Sequence, residues 1–283
     1  MLASHCASAT VRAVDDTGTT IELAAPAQRI VSLAPHATEL LFAAGAGPQV
    51  RAVLKGSDAP AEAARLPRIG DVNALDLERI VALAPDLVVT WPYTTPAQVA
   101  ILRARGIAVF TTDAHSVDDI ARDLEALGTL AGTSNVASAA AASMRTRAAA
   151  LARAAAGRRP VRVFYQVADA PMFTIGGGHI IDRAIRECGG VNVFADIGIP
   201  APQVDVEAVL ARRPDAIIAA TAHARRPTWL DEWKAWPQLP AIAHRDLFVV
   251  DADLLNRAGP RFVDGMAQLC AAIEAARGHI GVS

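Results

Sequence analysis

Apolar residues recur along this chain in two registers. Short aliphatic runs bounded by Gly, Pro or Asp read as buried strands, and between them lie stretches with the three- and four-residue spacing of helices. Residues 10–33 alternate around Asp16-Thr17-Gly18, which predicts a hairpin leading into a strand at 30–33. A helix is expected to start near His36 or Thr38 and to end at Gly45 or Gly47, followed by a strand at 50–54. Further strands are predicted at 87–91 and 108–112, with helices around 96–105 and from Ser116 toward Leu130. The second half repeats the scheme: strands at 161–167 and 247–250, and helices at 180–188, around 228–236, and from about 260 to 276. Strands alternating with helices predict parallel, helix-covered sheets.

One segment occurs twice. Residues 76–89 read DLERIVALAPDLVV and residues 205–218 read DVEAVLARRPDAII. The offset exceeds any solenoid period and fits two similar lobes, each with a short helix that ends before Pro and feeds a buried strand. Asp76 is placed to cap the first copy, and Glu78 and Glu207 become equivalent positions. Between the copies, the alanine-dense stretch 134–157 has high helix propensity. Gly157 and Pro160 end it, so a continuous helix would run about 36 Å. The expected domains are a tail and hairpin at 1–28, an α/β lobe at 29–132, a connecting helix at 133–158 and a second α/β lobe at 159–283.

The chain has 283 residues, 52% of them hydrophobic and 20% charged, with a formal net charge of −2. This is a folded chain with no broad basic field for nucleic acid, and no apolar run is long enough to span a bilayer. Residues 1–9 lack the basic and apolar regions of a complete signal peptide. Cys6 would suit lipid attachment only in a longer precursor, and His5 before it fits such a site poorly. Cys188 and Cys270 lie in apolar helical patterns, where free buried cysteine and a disulfide formed in an oxidising compartment are both open readings.

No enzyme signature is present: no phosphate loop, dinucleotide fingerprint, nucleophile elbow or paired-cysteine metal motif. Gly176-Gly177-Gly178 reads as a tight turn needing positive φ rather than as an anion cradle. His36 falls in the first strand-to-helix turn, at the edge where α/β folds bind ligands, and His115, His179, His223 and His244 are scattered. Trp91 and Tyr93 directly follow a buried strand, and their rings suit a flat organic ligand at that edge, although packing against a loop would explain them too. Trp229, Trp233 and Trp236 share a helix face and read as core. Phe173 beside the triglycine turn is another candidate, as are Asp253 and Arg257 after the last strand, with Arg257 suited to amide or carboxylate groups.

The stretches RIVSLAPHATELLFAAG, LDLERIVALAPDLVV, GGGHIIDRAIRECGGVNVF, PQVDVEAVLARRPDAII and ADLLNRAGPR together resemble the periplasmic substrate-binding proteins of bacterial ABC importers for cobalamin, ferric siderophores or haem. The resemblance covers the chain after its N-terminal tail and is nearest to the cobalamin-binding members. It implies an α/β fold of two Rossmann-like lobes joined by a single long helix, with the ligand in a cleft between them, and a periplasmic protein, monomeric when free, that is not an enzyme. It further implies that Glu78 and Glu207 dock on arginines of a homodimeric permease, that Cys188 and Cys270 form a disulfide, that Trp91 faces the ligand, and that Asp253 and Arg257 contact its polar edge. Neither a cofactor nor a metal site is expected. The chain departs from the cobalamin-binding pattern at Gly56, near Asp71, at Ala201 and at Leu254, where the family carries aromatic rings. A corrinoid, cobalamin or cobinamide, is the expected ligand. Haem, with Tyr93 or His36 as axial ligand, and an iron siderophore are the alternatives within the family; a cytoplasmic metal- or cofactor-dependent enzyme is the rival outside it.

Overall fold

A computed structural model describes residues 10–280; Cys6 and its surroundings lie outside them. The chain divides into two compact units, one running through Ala114 and including Asp118–Met144, the other comprising His115–Val117 and the chain from Arg145 onward.

The first lobe opens with an antiparallel hairpin, β1 (Val11–Val14) and β2 (Thr20–Leu23). Its turn folds around buried Asp15, whose carboxylate accepts from the Thr17 and Thr19 amides at 3.0 and 2.9 Å. The other carboxylate oxygen accepts from the Thr111 amide at 3.1 Å, stitching the hairpin to the sheet edge. Then follow β3 (Ile30–Ser32), α1 (Pro35–Ala43), β4 (Val50–Val53), α2 (Leu77–Ala82), β5 (Leu87–Thr90), α3 (Pro96–Ala104), β6 (Ala108–Thr111) and α4 (Val117–Ala131). The four strands β3–β6 form one parallel sheet in the order β4-β3-β5-β6. Val31, Val88 and Val109 from its strands pack with Ile80 and Leu102 from the helices.

The long helix α5 (Ser134–Ala155) joins the lobes. Its 22 residues rise about 33 Å.

The second lobe contains β7 (Val161–Gln166), α6 (Ile180–Glu187), β8 (Gly190–Asn192), α7 (Val206–Arg212), β9 (Ala216–Thr221), α8 (Pro240–Ala243), β10 (Leu247–Asp251), α9 (Ala252–Leu255) and α10 (Phe262–Arg277). Its parallel sheet has the order β8-β7-β9-β10. Counted within each lobe, both sheets therefore run second, first, third, fourth. The duplicated segment occupies the same place in both, as the helix and strand leading into the third position. Phe164, Phe194 and Trp233 form the aromatic centre of this core, with edge-to-face contacts at 5.7 Å. Trp229 and Trp236 pack beside it half-buried, although the segment carrying them, Thr228–Ala235, is a 3-10 helix rather than an α-helix.

Cys188, at the C-terminal end of α6, is disulfide-bonded to Cys270 in α10 with their Cα atoms 4.8 Å apart. Closing a loop of this length stabilises a fold by about 2–5 kcal/mol. Buried Arg277 reinforces the same joint, donating to the Cys188 and Gly189 carbonyl oxygens at 3.1 and 3.3 Å.

Candidate functional site

In a doubly wound sheet the loops diverge where the strand order reverses, leaving a crevice at the strand C-termini. In the first lobe that point lies between β3 and β5, so the turns into α1 and after β5 meet there. His36 arrives on the first turn and Trp91 on the second, with ring centroids 5.3 Å apart. Tyr93 lies against Trp91 at 4.7 Å and is 68% exposed. His36 is buried instead. The Thr112 hydroxyl donates to the Thr90 carbonyl oxygen at 3.1 Å, so it accepts from His36 Nε2 at 2.9 Å, which places a proton on that nitrogen. The loop itself is fixed by the Thr94 amide donating to the Trp91 carbonyl oxygen at 3.0 Å and by a capping box between Thr95 and Gln98 at the start of α3. The result is a rigid aromatic wall with one face in solvent.

The second lobe reverses between β7 and β9. Phe173 follows β7, half-buried, and Thr174 beside it donates from its hydroxyl to the Tyr165 carbonyl oxygen at 2.8 Å. After β9, His223 and Ala224 adopt the left-handed conformation, with φ of 55° and 51°. Asp251, ending β10, holds this loop and the next together: its Oδ1 accepts from the His223 amide at 3.2 Å and the Asp253 amide at 2.9 Å. Asp253 in turn pairs with Arg257 at 3.1 Å and lies 3.7 Å from His223 Nδ1. Below them, buried Tyr165 donates its phenol proton to Asn256 Oδ1 at 3.1 Å, and burial pushes that phenol above its ordinary range. Asp253 and Arg257 are thus adjacent. Asp251, Tyr165, Asn256 and His223 form the frame around them, and only Asn256, within the Leu-Leu-Asn-Arg run, had a local signal.

Glu78 and Glu207 take equivalent positions. Asp76 accepts from the Arg79 amide at 2.9 Å, and Asp205 from the Ala208 amide at 2.8 Å. Each glutamate is the second residue after its capping Asp, exposed in the first turn of α2 or α7. Both carboxylates face solvent beside a helix N-terminus, where negative charge is favoured.

The triglycine turn has a different cause from the one its sequence suggests. Only Gly178 has positive φ, at 82°. A Cβ on Gly176 would lie 2.0 Å from the Ile199 carbonyl oxygen, and one on Gly177 2.2 Å from that of Ala195. Close backbone approach therefore demands glycine at those two positions. Their amides donate to the Pro200 and Ile197 carbonyl oxygens, which leaves them no role as an anion cradle. His179 caps α6, its Nδ1 accepting from the Ile181 amide at 3.1 Å. Burial and neighbouring His115 hold its imidazole below the usual range, in the neutral form that cap requires. Among the described residues, no group of three His, Cys, Asp or Glu side chains could hold a metal ion, and no helix is long and apolar enough to cross a membrane.

Two lobes of one topology, each presenting side chains from loops at its switch point, define a class of solute-binding proteins. The family model for periplasmic binding proteins matches residues 30–254. The vitamin B12-binding protein of Vibrio cholerae serotype O1 is 37% identical over 254 residues, which cover 89% of this chain and 91% of that protein. The one from Pectobacterium atrosepticum is 35% identical over 249 residues, 86% of this chain and 87% of the relative. Among solved structures, the periplasmic vitamin B12-binding protein of Vibrio cholerae superposes with a TM-score of 0.81, covering 89% of this chain and 98% of its own. The apo periplasmic haem-binding protein of Roseiflexus sp. RS-1 is 27% identical with a TM-score of 0.75, over 88% of this chain and 99% of that one. The chain belongs to the periplasmic binding protein family. It is a periplasmic substrate-binding protein of an ABC importer, not an enzyme.

Proposed function

We propose that the cargo is a corrinoid, cobalamin or cobinamide, and that the protein delivers it to a homodimeric permease. Trp91 and Tyr93 of the first lobe stack against the macrocycle, with His36 bracing Trp91 from behind. Phe173, Asp253 and Arg257 of the second lobe serve its apolar and amide-bearing edges. Glu78 and Glu207 engage the permease. The observation that carries this reading is the Trp91–Tyr93 ring pair, held rigidly at a switch point with Tyr93 open to solvent. Large, preordered aromatic surface is what a planar macrocycle requires, and the relatives named for vitamin B12 support it by their similarity over 89% and 86% of the chain.

The missing rings at Gly56, near Asp71, at Ala201 and at Leu254 weaken the corrin contact. Each buried aromatic removes about 150–250 Å² from water, so the macrocycle itself is held less tightly than four such rings would hold it. Haem is the second reading: the exposed Tyr93 phenol could serve as an axial ligand, and a haem-binding relative shares the fold. Titration of the purified protein with cobalamin, cobinamide and haemin separates the two. Saturable one-to-one binding of either corrinoid, with haemin weaker, is the expected result. A Soret shift at stoichiometric haemin with no corrinoid binding overturns it.

A further inference from the structure

We infer that the first lobe carries a second ligand pocket, contiguous with Trp91, that receives an anionic arm of the cargo through Arg103. The inference rests on the corrinoid reading and extends it to the phosphodiester-linked nucleotide arm that distinguishes cobalamin from cobinamide.

A cavity of about 600 Å³ opens between the hairpin turn, the strand ends of β5 and β6, and one side of α3. That volume lies in the range of small-molecule sites. Trp91 forms one wall, so the cavity shares a residue with the aromatic pair. Pro96 and Val99 add apolar surface, and Thr94 and Thr111 bring hydroxyls. Such a mixture of apolar walls and few converging polar groups is characteristic of ligand pockets. The hydroxyls have capacity to spare. Thr94 accepts from Thr90 and keeps its own proton to donate, and the Thr111 hydroxyl has no partner among the described residues.

Charge decides what enters. Arg103, in the last turn of α3, is the sole ionisable side chain among the described residues that line the cavity. It is exposed, and its guanidinium makes no hydrogen bond or ion pair to any described residue. Asp15 of the hairpin is buried, and its carboxylate is occupied by four donors from Thr17, Thr19 and Thr111. It therefore offers the guanidinium no competing partner. A guanidinium and two hydroxyls lining one cavity match a phosphodiester, whose two free oxygens accept a forked pair of donors. A neutral amide arm would leave the cation unmatched.

The test compares two ligands that share a macrocycle and differ in this arm. Cobalamin and cobinamide are titrated calorimetrically into the parent protein, Arg103→Gln and Arg103→Lys. The expected result is a roughly tenfold or greater loss of cobalamin affinity in Arg103→Gln, the range for a hydrogen bond to a charged group. Cobinamide affinity should stay within about twofold, which also reports that the variant is folded, and Arg103→Lys should recover part of the loss. Equal loss for both ligands, or no loss for either, overturns the inference while leaving the corrinoid reading intact. A parent protein that binds neither corrinoid defeats both.

Discussion

Asp123 is 2% exposed in α4, and the carboxyl group that faces it is Asp16 of the hairpin turn. Burial raises the Asp123 carboxyl well above the usual range, and the charge and hydrogen bond of Asp16 raise it further. Asp16 is also raised, chiefly by burial, although the Asp113 amide pulls it back. The pair therefore holds a proton on Asp123, donated to Asp16. Both folded-state values lie above their unfolded ones, so this stabilisation is full below the ordinary carboxylate range. It is lost as pH rises through the elevated range. Asn at position 123 keeps a donor toward Asp16 without a charge to bury. Asp123→Asn should match the parent in thermal stability near pH 4 and exceed it near pH 8 by about 1–3 kcal/mol. Parallel melting curves across that range would refute the shared proton. Nothing in the sequence joins these two aspartates, because no periodicity connects a hairpin turn to a distant helix. Trp91 and Tyr93 were legible for the opposite reason: a loop directly after a buried strand can only lie at the sheet edge. Asp251 and Tyr165 were not, since their roles depend on contacts between loops that only the folded sheet brings together.

At the scale of elements, the two copies match more deeply than their letters. Both α2 and α7 end with a non-glycine residue in the left-handed conformation, Ala84 at φ 44° and Arg213 at φ 43°. In both, the Pro-Asp that follows turns the chain into the third strand. Asp86 accepts from the Gln28 and Arg29 amides at 2.8 and 3.0 Å, and Asp215 from the Arg162 amide at 2.9 Å. Each of those arginines also reaches back to carbonyl oxygens ending the helix: Arg29 to Leu83 and Ala84, Arg162 to Arg212 and Arg213. The clamp satisfies carbonyls that a helix end leaves open. The helix–Pro-Asp–strand unit could be read from sequence because the apolar period changes from helical to strand-like at a fixed signal. The arginine clamp could not, because the spacing to its partner Asp is 57 residues in one lobe and 53 in the other. Strand β8 escaped as well: three residues are too few to show alternation, and pairing with β7 creates the strand. Left-handed geometry costs an L-residue about 1–2 kcal/mol, partly offset by the greater freedom of glycine when unfolded. Ala84→Gly should therefore stabilise the first lobe by up to about 1 kcal/mol, seen as a higher unfolding temperature by calorimetry. A decrease would mean that Ala84 gains more from its contacts than its backbone loses.

For the whole molecule, cargo capture and delivery should be separable because they draw on different groups. Glu78 and Glu207 are exposed, and neither belongs to the aromatic pair or to the Asp253–Arg257 loop. Their carboxylates contribute at most about 0.3–1 kcal/mol to their helices through the dipole, while Asp76 and Asp205 retain the caps. Replacing them leaves fold and cargo affinity nearly unchanged. On the proposed docking role, the encounter with the permease is what should change. Two like charges in equivalent places suit two symmetry-related cations on a dimeric partner. Each single Ala variant should then reduce corrinoid uptake by a similar factor. The double charge reversal, Glu78→Arg with Glu207→Arg, should lower uptake by at least about tenfold through lost steering and repulsion. Uptake by the parent should also fall as ionic strength rises, and that salt dependence should flatten in the double Ala variant. The measurement pairs radiolabelled cobalamin uptake in reconstituted vesicles with calorimetric affinity for the same proteins. Parental transport by the double reversal would remove the docking role from these acids. A matching loss of cargo affinity would assign them to capture instead.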